Sequence, residues 1–340
     1  MKAVICSRKQ GLVFTEVPTP QAGPGEVVVR VADTGVCGSD ISFIKKGFFE
    51  EGYILGHEIS AVVHQVGQGV EGIEPGQRVM MRPTFCGQCA FCTSGKPHFC
   101  SEYRRLLGVR DLPGGFAEYV RVLPGMLIPI PEGVDSRNAA LAEVFASSYH
   151  GLNCSQAQGG SALVMGGGPI GLAMVALLKL HGFGPILLSE PVAAKREVGL
   201  AFGADAAVDP LRENLGYHVF DLTQDRGFDA VFECSGIADN VPLALDFIAV
   251  QGRITVVSVI SDFARIPMRR LTFTEAKLTA SISNTHEENK QILQWMAQGR
   301  LDGRPMISEI ISLEELPQVF NERILAGKSI KTLLKIGPEF

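Results

Sequence analysis

Residues 161–180 read SALVMGGGPIGLAMVALLKL. A short apolar β run, Ala162 to Met165, enters a glycine cluster, and a stretch of helical period opens directly after it. Gly166, Gly168 and Gly171 stand in G-x-G-x-x-G spacing, with Pro169 and Ile170 inside the motif. Each glycine has its own use in that setting. The first permits a tight turn, the second lets backbone approach a pyrophosphate, and the third packs helix closely against strand. The helix N-terminus adds unpaired N–H groups and a partial positive charge, so an anion is expected there. Glu190 follows nineteen residues after Gly171, at the end of the next β run, Ile186 to Ser189. A carboxylate in that place accepts hydrogen bonds from both hydroxyls of an adenosine ribose and repels a 2′-phosphate, which favours NAD over NADP. The plainer reading of Glu190 is an acid near a helix N-terminus, before Pro191. Lys195 and Arg196 either turn toward a phosphate or form a solvated helix face; Lys195 is kept among the candidate cofactor residues.

The same rhythm continues on both sides of this motif. Further β runs are expected at Ala206 to Val208, Ala230 to Glu233, Ile254 to Val259 and Leu278 to Ile282. Helices are expected at Ile170 to His181, Ala193 to Phe202 and Val241 to Val250. Six β elements alternating with helices fit a doubly wound parallel sheet of Rossmann type. Before about residue 147 the pattern differs. Short β segments such as Glu26 to Ala32 and Ile59 to Val66 are punctuated by Gly, Pro and charged turns. After Asn284 a helical stretch leads to a β-like tail, Ile330 to Ile336, that could rejoin the first segment. The fold class is therefore α/β, with a β-rich first domain and a Rossmann second domain.

The 340 residues carry 31 Lys+Arg against 36 Asp+Glu, a formal charge of −5, with 46% hydrophobic residues. This is the composition of a globular chain long enough for about two domains with their own cores. No basic run marks a nucleic-acid or anionic-membrane partner, and a small-molecule substrate is expected. The apolar stretch Ile170 to Leu178 is half a bilayer span, and the opening MKAVICSRK has no signal-type apolar segment, so a cytoplasmic location is expected.

In a reducing compartment eight cysteines are poor disulfide candidates. Cys86, Cys89, Cys92 and Cys100 form C-x2-C-x2-C-x7-C in a turn-rich excursion. Four thiolates suit tetrahedral Zn²⁺ with no open position, which makes this a structural site; an iron–sulfur cluster is the rival. His98 lies beside them as a surface residue. A second set is dispersed: Cys37 in GVCGSD, His57 and Glu58 in LGHE, and Glu143 in ALAEVFAS. A mixed S, N, O set with one position open would make a Lewis acid able to hold a substrate oxygen.

GVCGSD, LGHE, the four-cysteine lobe, GGFAEYV, AEVFASSYHG and GGGPIG together resemble the zinc-dependent medium-chain alcohol dehydrogenases almost end to end. Glutamate at position 143 resembles the polyol branch, with its sorbitol, threonine, butanediol and sugar-acid dehydrogenases. The resemblance implies a GroES-like catalytic domain made of residues 1–146 and 284–340, a Rossmann domain over 147–283, and an active site in the cleft between them. It also implies a homodimer or homotetramer. Cys37 and His57 would be zinc ligands, and Glu58 and Glu143 would share the remaining ligand role. Ser39 would hydrogen-bond the substrate alcohol and begin a proton relay, while Asp40 would be a structural carboxylate. Where many relatives carry a histidine five residues after the zinc cysteine, this chain has Ser42, and the outward relay departs from theirs. Phe43, Phe48 and Phe49 follow either as an apolar substrate wall or as core.

The activity this implies is hydride transfer between a secondary alcohol, polyol or sugar-derived acid and NAD, with zinc in both constellations. Two alternatives remain: an NADPH-dependent zinc reductase of a ketone or aldehyde, and a non-catalytic dinucleotide-binding redox sensor.

Overall fold

The computed structural model describes residues 1–83, 85–101, 107–108 and 112–340. The chain forms two units, Met1–Glu143 joined by Thr285–Phe340, and Val144–Asn284. The first division falls inside one 20-residue helix, Ser136–Ser155, which the change of composition at 146/147 does not mark; the second lies at 284/285 rather than 283/284.

The N-terminal stretch carries β1 (Lys2–Ser7), β2 (Gly11–Glu16), β3 (Val27–Gly35), α1 (Gly38–Lys46), β4 (Glu58–Val66), β5 (Arg78–Met81), the single turn α2 (Ala90–Thr93), β6 (Tyr119–Val122), β7 (Leu127–Pro129) and α3, the long helix above. The middle alternates β8 (Ala162–Met165), α4 (Pro169–Leu180), β9 (Ile186–Ser189), α5 (Ala193–Ala201), β10 (Ala206–Val208), α6 (Leu215–Thr223), β11 (Phe228–Glu233), α7 (Asn240–Phe247), β12 (Ile248–Val256), α8 (Met268–Thr274) and β13 (Lys277–Ala280). Then come α9 (His286–Ala297), β14 (Ile307–Ile311) and β15 (Lys331–Lys335).

In the first unit the sheet order is β14-β15-β3-β4-β5-β7, with β6 also on β3. Val27, Val29 and Val31 of β3 and Ile59, Ala61 and Val63 of β4 alternate along their strands and share one apolar cluster. Each Val or Ile so buried contributes about 1.5–3 kcal/mol. The β-like tail does rejoin this unit, because β15 pairs antiparallel with β3 and parallel with β14.

The second unit is a parallel six-stranded sheet of order β10-β9-β8-β11-β12-β13. The order reverses between β8 and β11, the place where open α/β sheets hold their ligands. Three expectations need correction. The strand expected at Ile254 to Val259 is β12 from Ile248 to Val256, and the preceding helix stops at Phe247 rather than Val250. Its pairing with β11 jumps from Phe228↔Ile248 to Ala230↔Arg253, and Gln251 takes a positive φ of 60°. That irregularity splits the strand, so its apolar first part continued the helical period. The strand expected at Leu278 to Ile282 runs from Lys277 to Ala280. Helix α6 went unanticipated because Gly216 and its aromatic and β-branched residues are weak helix formers; Asn214 starts it by accepting from the Gly216 N–H. Among the described residues no helix is long and apolar enough to cross a membrane.

Candidate active site

Strand β3 ends at Gly35, and Cys37 opens α1 two residues later. Its N–H donates to Asp40 Oδ2 at 2.9 Å, which fixes the turn. His57 and Glu58 stand at the start of β4, and Glu58 pairs in register with Gly35. Any Cβ at Gly35 would lie 1.9 Å from Glu58 Oε2, so glycine is required there for the carboxylate to fit. One ligand atom each from Cys37, His57 and Glu58 lies within 4.8 Å of the others. Ser39 Oγ is 3.4 Å from His57 Nε2. Asp40, fully buried, sits 3.6 Å from His57 Nδ1, too far for a good hydrogen bond but close enough to bias the ring electrostatically. Burial pulls His57 toward its neutral form, yet the Cys37 and Asp40 charges outweigh it and raise its pKa well above the ordinary imidazole value. A divalent cation in this set would displace that proton.

The residue that sequence reasoning missed is Lys331 on β15. Its Nζ lies 2.7 Å from both Glu58 oxygens and 3.0 Å from Val36 O, and both charged side chains are 1% exposed. Burial works against the ammonium charge, but Glu58 and Cys37 outweigh it and its pKa rises. Glu58 therefore shares its charge with Lys331. Glu143 is buried on α3 and contributes to the field at Lys331, but the structure does not bring it into the 4.8 Å group. Removing one partner of such a pair leaves an uncompensated buried charge. Lys331→Met is expected to cost about 3–5 kcal/mol of stability, read by urea unfolding of the apoprotein; an unchanged midpoint would mean Glu58 needs no cation.

Cys86, Cys89, Cys92 and Cys100 form the other group within 4.8 Å. The Sγ atoms of Cys86 and Cys92, and of Cys89 and Cys100, are 3.8 Å apart. A tetrahedron with Zn–S bonds of about 2.3 Å has edges of about 3.8 Å, which these two pairs match while all four sulfurs lie within 4.8 Å of one another. Helix α2 supports them: the Cys92 N–H donates to Cys89 Sγ at 3.4 Å, and the Cys89 N–H to Cys86 Sγ at 3.3 Å. The Cys92 N–H, with that of Ser101, pushes the Cys89 pKa down, whereas burial pushes Cys92 and Cys100 up. The nearby guanidinium of Arg82 is buried, which pulls its pKa down to about 10 against the opposing Cys92 and Cys100 charges. His98 packs on Phe99 at 4.3 Å between ring centroids and is not in the thiol group. Of the three phenylalanines after α1's motif, Phe49 packs on the first-unit core and Phe48 is 65% exposed.

In the second unit Gly166 takes φ +104°, and a Cβ there would lie 2.8 Å from Ser235 N. Gly168 caps α4, Pro169 and Ile170 form its first turn, and a Cβ at Gly171 would strike Gly166 O at 1.8 Å. Gly166 and Gly171 are thus fixed by sterics as well as by spacing, whereas a Cβ at Gly168 would meet nothing within 4 Å. Glu190 is 5% exposed; Oε2 accepts from the Gly167 N–H at 2.7 Å and Oε1 from the Val192 N–H at 2.8 Å. Arg196 donates to the Glu190 and Pro191 carbonyls, both at 2.8 Å, and lies 3.7 Å from Asp209, which tethers it. Lys195 is half-buried in the first turn of α5.

Residues 23–132 match the family model of the alcohol dehydrogenase GroES-like domain, and residues 169–298 match that of the zinc-binding dehydrogenases. A 2-dehydro-3-deoxy-L-galactonate 5-dehydrogenase of Pseudoalteromonas atlantica is 31% identical over 326 residues, covering 94% of each chain. A sorbitol dehydrogenase of Halalkalibacterium halodurans is 30% identical over 330 residues, with 94% of each chain covered. Among solved structures, a protein of Sinorhizobium meliloti with NADP bound superposes with a TM-score of 0.89 at 30% identity, covering 99% of both chains.

Proposed function

Because the chain belongs to the zinc-dependent medium-chain alcohol dehydrogenases, in their polyol branch, we propose that it oxidises a secondary alcohol, polyol or sugar-derived acid with NAD as hydride acceptor. The observation that carries this reading is the Cys37, His57 and Glu58 cluster with the Ser39 hydroxyl beside it. Cys37 and His57 would hold a zinc ion, with Glu58 in their cluster and Glu143 outside it sharing the carboxylate role. Bound there, zinc supplies the Lewis acidity that lowers the pKa of an alcohol oxygen, and the nicotinamide supplies the carbon that takes hydride.

The protein's own groups do the rest. Ser39 Oγ would accept the hydrogen bond of the substrate hydroxyl and, as that proton arrives, release its own to solvent water. Asp40 holds α1's first turn and biases the His57 ring. Lys331 tempers the charge of Glu58, so the cluster does not present full carboxylate and thiolate charge to one cation. Cys86, Cys89, Cys92 and Cys100 would hold a second zinc; four thiolates leave it no open position, so it would stabilise the lobe and take no part in chemistry.

Glu190 supports NAD over NADP, because a carboxylate at the end of β9 would accept from the adenosine ribose hydroxyls and repel a 2′-phosphate. The NADP bound by the Sinorhizobium meliloti protein keeps a second reading in play, NADPH-dependent reduction of a ketone or aldehyde. Glu190→Ala separates them. Under the NAD reading it raises the kcat/KM ratio of NADP⁺ to NAD⁺ by at least about tenfold; under the reductase reading NADPH use is already high and stays intact. The assay is absorbance at the nicotinamide band over a panel of polyols, diols, hydroxy amino acids and aldonates. If no alcohol in that panel is oxidised with either cofactor, the proposed activity is wrong. A homodimer or homotetramer fits β13, an edge strand whose Leu278 and neighbouring Ile282 are exposed. The eight free cysteines fit a reducing, cytoplasmic setting.

A further inference from the structure

Glu233, the last residue of β11, is fully buried. Its carboxylate accepts from the Ser235 N–H at 2.8 Å, the Gly236 N–H at 3.1 Å, and the hydroxyls of Ser235 and Ser258. Its carbonyl accepts from the N–H groups of Val257 and Ser258 at 2.9 and 3.2 Å. One residue therefore ties together the loops that leave the carboxyl ends of β11 and β12. The tie extends along the first loop, because Ser235 Oγ also accepts from the Ile237 N–H at 3.1 Å and from Asn240 Nδ2 at 2.9 Å.

Those loops adjoin the glycine turn. Ser235 N is the atom that a Cβ at Gly166 would meet at 2.8 Å. A dinucleotide on a sheet of this order lies across the reversal, with one mononucleotide over each half. Glu190, at the end of β9, places the adenosine on the β8, β9, β10 half, which leaves the β11, β12, β13 half for the nicotinamide. The tied loops present two exposed apolar side chains, Ile237 and Val259, suited to an aromatic ring.

We propose that Glu233 is a positioning residue for the nicotinamide half of the cofactor, acting through the two loops it ties together and not by touching the ring. This rests on the dinucleotide-binding reading above. A charged acceptor holding four neutral donors fixes loop geometry far more tightly than an amide would, since an amide loses the charge and puts an N–H₂ where an acceptor is needed.

The test compares two probes on the full-length, metal-loaded protein: NADH by its fluorescence change and ADP-ribose, which lacks the nicotinamide, by calorimetry. E233Q is expected to weaken NADH at least about tenfold while ADP-ribose stays within about twofold. S258A, which removes one donor and keeps the carboxylate, is expected to move NADH in the same direction by less, and it decides alone if E233Q does not fold. Equal loss of both probes would make Glu233 a general support of the fold, and unchanged NADH affinity would show that the loops need no tie; either result overturns the proposal. Wild-type protein that binds neither NADH, NADPH nor ADP-ribose would instead overturn the dinucleotide reading underneath it.

Discussion

Replacing Cys37 with Ser is expected to lower turnover by at least about a thousandfold while cofactor binding and melting temperature stay near wild type. The sulfur is the softest of the three donors in its cluster, and a serine hydroxyl is a poor zinc ligand at neutral pH. The change is nearly isosteric and leaves the Cys37 N–H on Asp40, so α1 keeps its first turn. His57→Ala should match it in turnover. Zinc content by mass spectrometry should fall from about two ions per chain to about one, because the four-cysteine site is untouched. A C37S protein that kept most of its activity, or its full metal content, would remove Cys37 from the site.

Replacing Cys89 with Ser is expected to act on the other property, stability. Zinc bound by structural thiolates in small domains carries on the order of 10–16 kcal/mol of folding free energy. Here the lobe hangs on a sheet with its own core, so only part of that is felt: a loss of at least ~3 kcal/mol, about 10 °C in melting temperature. Cys89 is the severe choice. It is buried, it caps α2, and its Sγ accepts the Cys92 N–H, so the substitution disturbs ligand and scaffold together. The chelator sensitivity of the wild-type melt should disappear in C89S. Coincident wild-type and variant melts, with and without chelator, would mean that the lobe folds without metal.

The features legible in the sequence are those whose information is local. The glycine turn, Glu190 and the four cysteines each lie within a few dozen residues, where strand, turn and helix signals agree. The Cys37, His57 and Glu58 cluster is less local, and only the family resemblance joined its members before geometry did. What stayed hidden depended on long-range pairing or irregular backbone. Lys331 is 273 residues from Glu58 and meets it only because β15 lies against β3. A lysine in an apolar tail reads as a solvated charge until the register turns it inward. The jump in register between β11 and β12 was equally invisible, because helix and strand patterns overlap across Ile248 to Val250.

Strand β15 sits between β14 and β3, so the first unit's sheet has a gap until residues 331–335 arrive. During synthesis the ribosome delivers Cys37, His57 and Glu58 long before their counter-cation, which follows Glu58 by 273 residues. The nascent protein therefore passes through a long interval in which Cys37 and Glu58 are present without the Lys331 side chain. The middle unit, emitted as one uninterrupted stretch, can complete its sheet during that interval. Order of emergence thus separates a middle unit whose strands all come from one stretch from a first unit whose buried charges balance only once Lys331 has emerged.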